Sequence, residues 1–186
     1  MNKKYKFTGE SREVCLHIRT ITLHQIQALR SFDEVKEGDV GGWIEKEENL
    51  SHEGNCWVYD EAQVLGNALV SGKAQVLGKA QVYGKAQVLG NARVFGNALV
   101  CGDALVNGDA QVNGNARVYG NALVCGDAQV NGNARVFGNV LVSGNARVFG
   151  NVLVSGNARV FGNALVNENA GVRHFILWTN YITTQS

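Results

Sequence analysis

The stretch GNARVFGNALVCGDALVNGDAQVN, residues 90–113, consists of four consecutive six-residue repeats of the form G-N-A-x-V-x. The same hexad runs without insertion from residue 54 to residue 173, twenty times in all. Its fifth position is valine in every copy, its third is alanine in seventeen, and its first is glycine in all but Asp60 and Glu168. A fixed short period of this kind is the sequence signature of a solenoid.

Alternation within the hexad indicates β-strands rather than helix. Positions three and five have the same parity, so in an extended chain both side chains point to one side, while positions four and six point to the other. A helix would spread the valines around its whole surface, and glycine at every sixth residue would cost about 1 kcal/mol each time. Alanine and valine therefore fill an interior. The Gly-Asn pair is expected to form the corner, since both residues tolerate positive φ.

Three strands and three corners make one triangular coil, so twenty hexads give between six and seven coils in a prism roughly 30 Å long. Asn or Asp occupies position two in sixteen hexads and is expected to form ladders along the corners. The fold class is thus all-β, a parallel β-helix. We assign residues 1–53 to an N-terminal cap, 54–173 to the β-helix and 174–186 to a capping tail. The side chains expected to cover the ends of the core are Trp43, Trp57 and Trp178.

A more specific pattern, GGWIEKEENLSHEGNCWVYDEAQV at residues 41–64, leads into the regular hexads. Together with the repeats, this segment resembles the YdcK-like hexapeptide-repeat proteins of enterobacteria, phages and prophages. The resemblance covers most of residues 14–173 and implies a single-stranded left-handed β-helix, a hand that periodicity alone leaves open. Members are described as acyltransferase-like because their fold is similar to that of trimeric left-handed β-helix enzymes. Similarity of fold does not establish an activity.

Composition narrows the classes of function. The chain has 17 basic and 16 acidic residues, which argues against a nucleic-acid partner bound through phosphate neutralisation. No run of about 18 apolar residues occurs and the start lacks the apolar core of a secretory signal, so we expect no membrane partner and a cytoplasmic location. No metal site is predicted, because the four cysteines fit no Cys/His metal spacing: Cys15, Cys56, Cys101 and Cys125.

An acyltransferase, as the resemblance implies, would use a histidine as general base within hydrogen-bond reach of its substrate. The repeats contain no histidine between residues 54 and 173 and no insertion that could form a donor-binding loop. No catalytic residue is therefore predicted. His52, close in sequence to Glu53 and Asp60, is a weak candidate whose alternative is a structural imidazole. No cofactor is expected, and acetyl-CoA or another acyl-CoA enters only with the acyltransferase alternative.

Because every third hexad shares a face, the outward position four sorts into three columns. One column includes four leucines, three of them on consecutive coils: Leu69, Leu105, Leu123 and Leu141. We interpret this column as an interface for a protein partner or for self-association as a dimer or trimer. Scattered exposed leucines, which are common on proteins, are the alternative. Arg117 and Arg135 stack on a second face, where they could bind an anion or remain solvated.

Two functions follow from these observations. The first is a non-catalytic β-solenoid scaffold or interaction protein, phage-derived by its resemblance, that presents flat faces to a protein partner or to itself. The second is an acyl-CoA-dependent acyltransferase of the hexapeptide class. The missing histidine, the missing loops and the leucine column favour the first.

Overall fold

The structure is a computed structural model that describes residues 3–16, 19–167, 171–173, 176–177 and 181–182. Three strands come first, namely β1 (Tyr5–Leu16), β2 (Arg19–Ala28) and β3 (Val40–Ile44). One turn of 3-10 helix, Glu47–Asn49, follows them. The helical residues of the described chain, Glu47–Asn49, are too few to span a membrane.

The hexads form short strands of two to four residues. In chain order these are β4 (Trp57–Val58), β5 (Gln63–Val64), β6 (Leu69–Val70), β7 (Gln75–Val76), β8 (Gln81–Val82), β9 (Gln87–Val88), β10 (Arg93–Val94), β11 (Leu99–Val100), β12 (Leu105–Val106), β13 (Gln111–Val112), β14 (Arg117–Gly120), β15 (Leu123–Val124), β16 (Gln129–Val130), β17 (Arg135–Gly138), β18 (Leu141–Val142), β19 (Arg147–Val148), β20 (Leu153–Val154), β21 (Arg159–Val160), β22 (Leu165–Val166) and β23 (Gly171–Val172). Beyond the hexads lie β24 (Ile176–Leu177) and β25 (Tyr181–Ile182).

These strands stack in parallel as a three-sided solenoid of about seven coils. Each strand pairs with the strand three hexads later, as Val94 does with Val112, so the predicted three-hexad coil is confirmed. The described strands form three sheets: a ten-stranded sheet β1-β2-β3-β5-β8-β11-β14-β17-β20-β23, an eight-stranded sheet β25-β22-β19-β16-β13-β10-β7-β4 and a seven-stranded sheet β24-β21-β18-β15-β12-β9-β6.

The core is a narrow tube filled by the two inward positions of the hexad. Every valine at position five, from Val58 to Val172, is buried, and the described alanines at position three are buried beside them. Burying one such valine contributes about 1.5 to 2 kcal/mol relative to an exposed one. Because the tube has a constant width, its stability grows with the number of coils rather than with the thickness of the core.

Two neighbouring residues shape each corner, one through its backbone and one through its side chain. Gly114 adopts a φ of +67°, and a Cβ atom there would lie 2.9 Å from the carbonyl oxygen of Gly132 on the next coil. The expectation that asparagine shares this backbone conformation is wrong, because the non-glycine residues with positive φ in the described chain are Asp33 and Asp60. Asparagine acts through its side chain instead. Asn115 Nδ2 donates to Asn133 Oδ1 at 3.0 Å, which confirms the predicted ladders.

Parallel stacking begins before the first regular hexad. Ile44 in β3 pairs with Val64, and Leu50 forms a parallel bridge with Val70. Residues that we assigned to the cap therefore contribute a first, irregular coil whose Ile44 and Leu50 extend two inward valine columns. The β1–β2 hairpin continues the ten-stranded sheet in antiparallel fashion beyond this coil.

Trp57 is buried, but it does not lie across the end of the core. It pairs in register with Gln75, which occupies the outward position four. Its indole instead packs edge-on against the rings of Tyr5, at 6.1 Å between centroids, and Phe32, at 5.5 Å. The N-terminal cap thus wraps over the outer side of the first coil.

Trp43 also points outward, in register with Gln63, and the Arg12 guanidinium lies 4.1 Å from its ring centroid. The prediction that Trp43 and Trp57 cover the open end of the core is therefore corrected. The physical reason is strand parity, since a residue that precedes an inward side chain must point outward. Trp178 lies outside the described residues.

Candidate functional site

The four leucines of the predicted column lie on the seven-stranded sheet, which we name the leucine face. Leu105 pairs with Leu123, and Leu123 pairs with Leu141, so three leucines stack on consecutive coils. Leu69 is separated from Leu105 by Gln87. All four leucines are part-exposed. The structure therefore brings these residues together, and their role as an interface stays a prediction.

Polar residues bound the leucine stack at both ends. Gln87 precedes Leu105, and Arg159 follows Leu141 in the same column; both are exposed. A second outward column, made by position six, runs beside the leucines. Its members opposite the stack are part-exposed and small or polar: Asn107, Cys125 and Ser143. The leucine face is thus an apolar strip with a polar border.

A pocket of about 340 Å³ opens where the leucine face meets the N-terminal cap. Its lining comprises Glu47, Glu48, Leu50, Ser51, His52, Glu53 and Leu69. The 3-10 turn is fixed against the second coil by Asn49, whose Nδ2 donates to the carbonyl oxygen of Ala68 at 2.8 Å. Of its three carboxylates, Glu47 forms an ion pair with Lys3 at 2.6 Å, which leaves Glu48 and Glu53 as the negative charges of the lining. These charges disfavour phosphorylated ligands such as acyl-CoA, because like charges repel.

His52 faces this pocket, but its hydrogen bonding differs from that of a general base. Its ring stacks on Tyr5 at 4.3 Å between centroids, and its Nδ1 accepts the backbone N–H of Lys4 at 3.2 Å. The neutral ring must then carry its proton on Nε2, which lies 4.0 Å from Glu47 Oε2. Burial lowers the pKa of His52. In this tautomer the basic nitrogen is Nδ1, which the Lys4 N–H occupies, while Nε2 is buried without a hydrogen-bond partner in the described part of the chain. A catalytic role for His52 stays a prediction, with a structural imidazole as its alternative.

Of the carboxylates near His52 in sequence, Asp60 forms a hydrogen bond to another part of the chain. It occupies the first position of a hexad with a φ of +52°, and its Oδ2 accepts the backbone N–H of Gly78 at 3.0 Å. Asp tolerates this conformation better than most residues. Glu53 lines the pocket.

A buried lysine near the pocket was missed by sequence reasoning. Lys4 Nζ donates to the carbonyl oxygens of Cys56, at 2.8 Å, and Gly54, at 3.4 Å, and lies 3.2 Å from Cys56 Sγ. Burial lowers the pKa of Lys4 and raises the pKa of the Cys56 thiol. Both groups are thereby shifted toward their uncharged forms. The sequence signal for this site is that Cys56 replaces the usual alanine at position three of the first hexad.

Known proteins are similar to parts of this chain. A family model described as "YdcK Beta solenoid repeat" matches residues 86–102, 110–126, 116–131, 128–144, 141–156 and 154–168. In these residues the chain is similar to the YdcK β-solenoid repeat. The "Uncharacterized acetyltransferase YdcK" of Escherichia coli (strain K12) is 38% identical to it over 63 residues, which cover 32% of this chain. The matched stretch spans 19% of the length of that relative.

The paired arginines of this YdcK-like solenoid lie on its ten-stranded sheet. Arg117 and Arg135 are in register on adjacent coils and both are exposed. Beside them, the rings of Tyr119 and Phe137 stack at 4.8 Å between centroids. Like charges directly opposite each other are destabilising, so an anion bound between the guanidinium groups would be favourable. Anion binding here stays a prediction. No group of residues in the described chain is suited to hold a metal ion.

Proposed function

We propose that this YdcK-like solenoid is a non-catalytic scaffold that binds protein through its leucine face. The observation that carries the proposal is the register of Leu105, Leu123 and Leu141, which stacks three part-exposed leucines on a flat sheet. Covering apolar surface contributes about 25 cal/mol per Å². An apolar centre with a polar border is also the common organisation of protein interfaces.

The surroundings of His52 support a function without catalysis. The Nδ1 atom of the imidazole is occupied by the Lys4 backbone N–H, its Nε2 atom is buried, and the hexads supply no second histidine. We also propose a cytoplasmic location, because the thiols of Cys56, Cys101 and Cys125 are unpaired and a reducing compartment suits them.

The test replaces Leu105, Leu123 and Leu141 together with lysine. Charged side chains at these positions should remove bound protein, measured by analytical ultracentrifugation of the purified chain and by recovery of partners on an affinity resin. A matched control places lysine at position four of the same three coils on the eight-stranded sheet: Gln111→Lys, Gln129→Lys and Arg147→Lys. Circular dichroism checks that both variants keep the β-fold. An unchanged mass together with an unchanged set of bound proteins in the leucine variant would overturn the proposal.

The alternative is an acyl-CoA-dependent acyltransferase, which is favoured by the description of the Escherichia coli relative as an acetyltransferase. The two functions are separated by isothermal titration with acetyl-CoA. Saturable binding in the micromolar range would support the acyltransferase. No heat of binding at millimolar acetyl-CoA would remove it and leave the scaffold.

A further inference from the structure

The outward residues of the leucine face are arranged symmetrically about the coil of Leu123. One coil away on either side lie Leu105 and Leu141. Two coils away lie Gln87 and Arg159, both exposed and both able to hydrogen-bond. A surface with this symmetry is complementary to itself when one copy is turned end over end.

The neighbouring column repeats the symmetry. Position six holds Cys125 on the central coil, with Asn107 one coil before it and Ser143 one coil after. Two polar residues therefore face each other across the same centre. The pattern covers both outward columns, which is what a two-fold interface requires.

From this arrangement we propose that the leucine face pairs with the leucine face of a second copy, with the two solenoids antiparallel. The two-fold axis runs along the strand of Leu123. Leu123 then meets Leu123 of the second copy, Leu105 meets Leu141, and Gln87 meets Arg159. The inference rests on the proposed function, since it names the partner of the same face.

Charge and polarity favour this arrangement over parallel pairings. A parallel dimer with the leucine columns superposed would place Arg159 against Arg159 of the second copy, and like charges in contact are destabilising. A parallel dimer shifted by two residues would place Leu105 against Asn107 and Leu123 against Cys125. The antiparallel arrangement keeps leucine on leucine and separates the two arginines by four coils, about 19 Å.

Gln87 provides the sharpest test, because it is exposed and lies outside the leucine stack. Gln87→Glu should strengthen the antiparallel dimer about two- to fivefold, since a carboxylate would face Arg159 of the second copy. Gln87→Arg should weaken the dimer, and adding Arg159→Glu should restore it. In a parallel dimer with superposed columns, Gln87→Glu would place two carboxylates together and weaken association. Dissociation constants are measured by sedimentation equilibrium at low salt, over micromolar to millimolar chain concentrations.

Cys125 reports the register independently. In a chain that carries Cys15→Ser and Cys101→Ser, the two Cys125 thiols face each other, and dibromobimane should link them into a covalent dimer. The control carries Cys15→Ser and Cys125→Ser and retains Cys101, which lies on the ten-stranded sheet. It should give no covalent dimer.

The outcomes separate this inference from the proposed function. A chain that stays monomeric at millimolar concentration overturns the inference, while loss of another bound protein in the triple-lysine variant would still support the scaffold. A dimer that Gln87→Glu weakens, or that leaves Cys125 unlinked, also overturns the antiparallel arrangement. A dimer that survives the triple-lysine change, with its other bound proteins unchanged, overturns both proposals.

Discussion

The Nζ atom of Lys4 lies 3.2 Å from the Sγ atom of Cys56 in the interior of the N-terminal cap. Lys4 is fully buried, and its other acceptors are the carbonyl oxygens of Cys56 and Gly54. No carboxylate of the described residues forms an ion pair with this buried ammonium group, and burial lowers its pKa. The contact links the residue before β1 to the first hexad. We expect it to make the stability of the cap vary with pH in the alkaline range.

Comparing Cys56→Ala with Cys56→Ala/Lys4→Met isolates the contribution of Lys4 to the pH dependence of stability. Because the pKa of Lys4 is lower in the folded chain than the ordinary value of 10.5, the unfolded chain binds more protons between these two values. Stability of the single variant should therefore rise, relative to the double variant, as the pH rises toward 10.5. Urea unfolding at each pH measures the difference, and a difference independent of pH would contradict the prediction.

The Cys56 thiol should make stability fall, rather than rise, with increasing pH. Burial raises its pKa above the ordinary value of 9.0, so above that pH the unfolded chain loses its proton first. Lys4→Met should therefore lose stability relative to Lys4→Met/Cys56→Ala as the pH rises above about 9. The same urea series provides the measurement. A gain in stability over this range would show that the thiol is not protected by burial.

His52 should tolerate asparagine better than alanine. The Oδ1 atom of asparagine can accept the Lys4 backbone N–H that Nδ1 now accepts, whereas alanine leaves this donor unpaired. We expect His52→Ala to cost about 1 to 3 kcal/mol and His52→Asn to cost less. Equal losses in thermal unfolding would argue that ring stacking on Tyr5 is the dominant contribution.

Acidification should test the same histidine. Burial lowers the pKa of His52 below the ordinary value of 6.5, so stability is lost as the pH falls through 6.5 toward the folded-state pKa. The wild-type chain should lose more stability than His52→Asn between about pH 7 and about pH 5. Equal losses of stability in the wild-type chain and in His52→Asn would exclude His52 as the cause.

Gly114→Ala should destabilise the solenoid strongly, because its Cβ would approach the backbone of the next coil and its φ is positive. We expect a loss of about 2 kcal/mol or more in urea unfolding. Gly171→Ala is the matched control, since no atom of the described residues lies within 4 Å of a Cβ atom there and its φ is not positive. A similar loss in both variants would contradict the assigned role of the corners.

The asparagine ladder should contribute modestly. Asn115 accepts from Asn97 at 3.1 Å and donates to Asn133 at 3.0 Å, both on the exposed corner. Asn115→Ala should cost about 0.5 to 1.5 kcal/mol. Asp103→Ala, at the same position of an adjacent ladder, should cost less, because the described structure gives its carboxylate no ladder bond. Thermal unfolding measures both costs. An equal cost at the two positions would show that the loss comes from the corner itself and not from the ladder hydrogen bonds.

Periodicity was sufficient to predict the solenoid, its three-hexad coil and the columns of outward side chains. It succeeded because parity in a strand decides which side chains are inward, and valine recurs at one position without exception. The same parity argument, applied one residue before Ile44, would have turned Trp43 outward. The prediction failed there because the first coil has no hexad to mark its register.

The sequence by itself determined the repeat, the buried valines and the position of the leucine stack, since these follow from local alternation of side chains. Only the tertiary structure decided that Lys4 lies against Cys56, that His52 accepts a backbone N–H, and that the pocket is acidic. These contacts join residues about 50 positions apart, and the N-terminal cap that brings them together has no sequence repeat. Long-range packing of irregular chain depends on the shape of all the surfaces that meet, which no local pattern records.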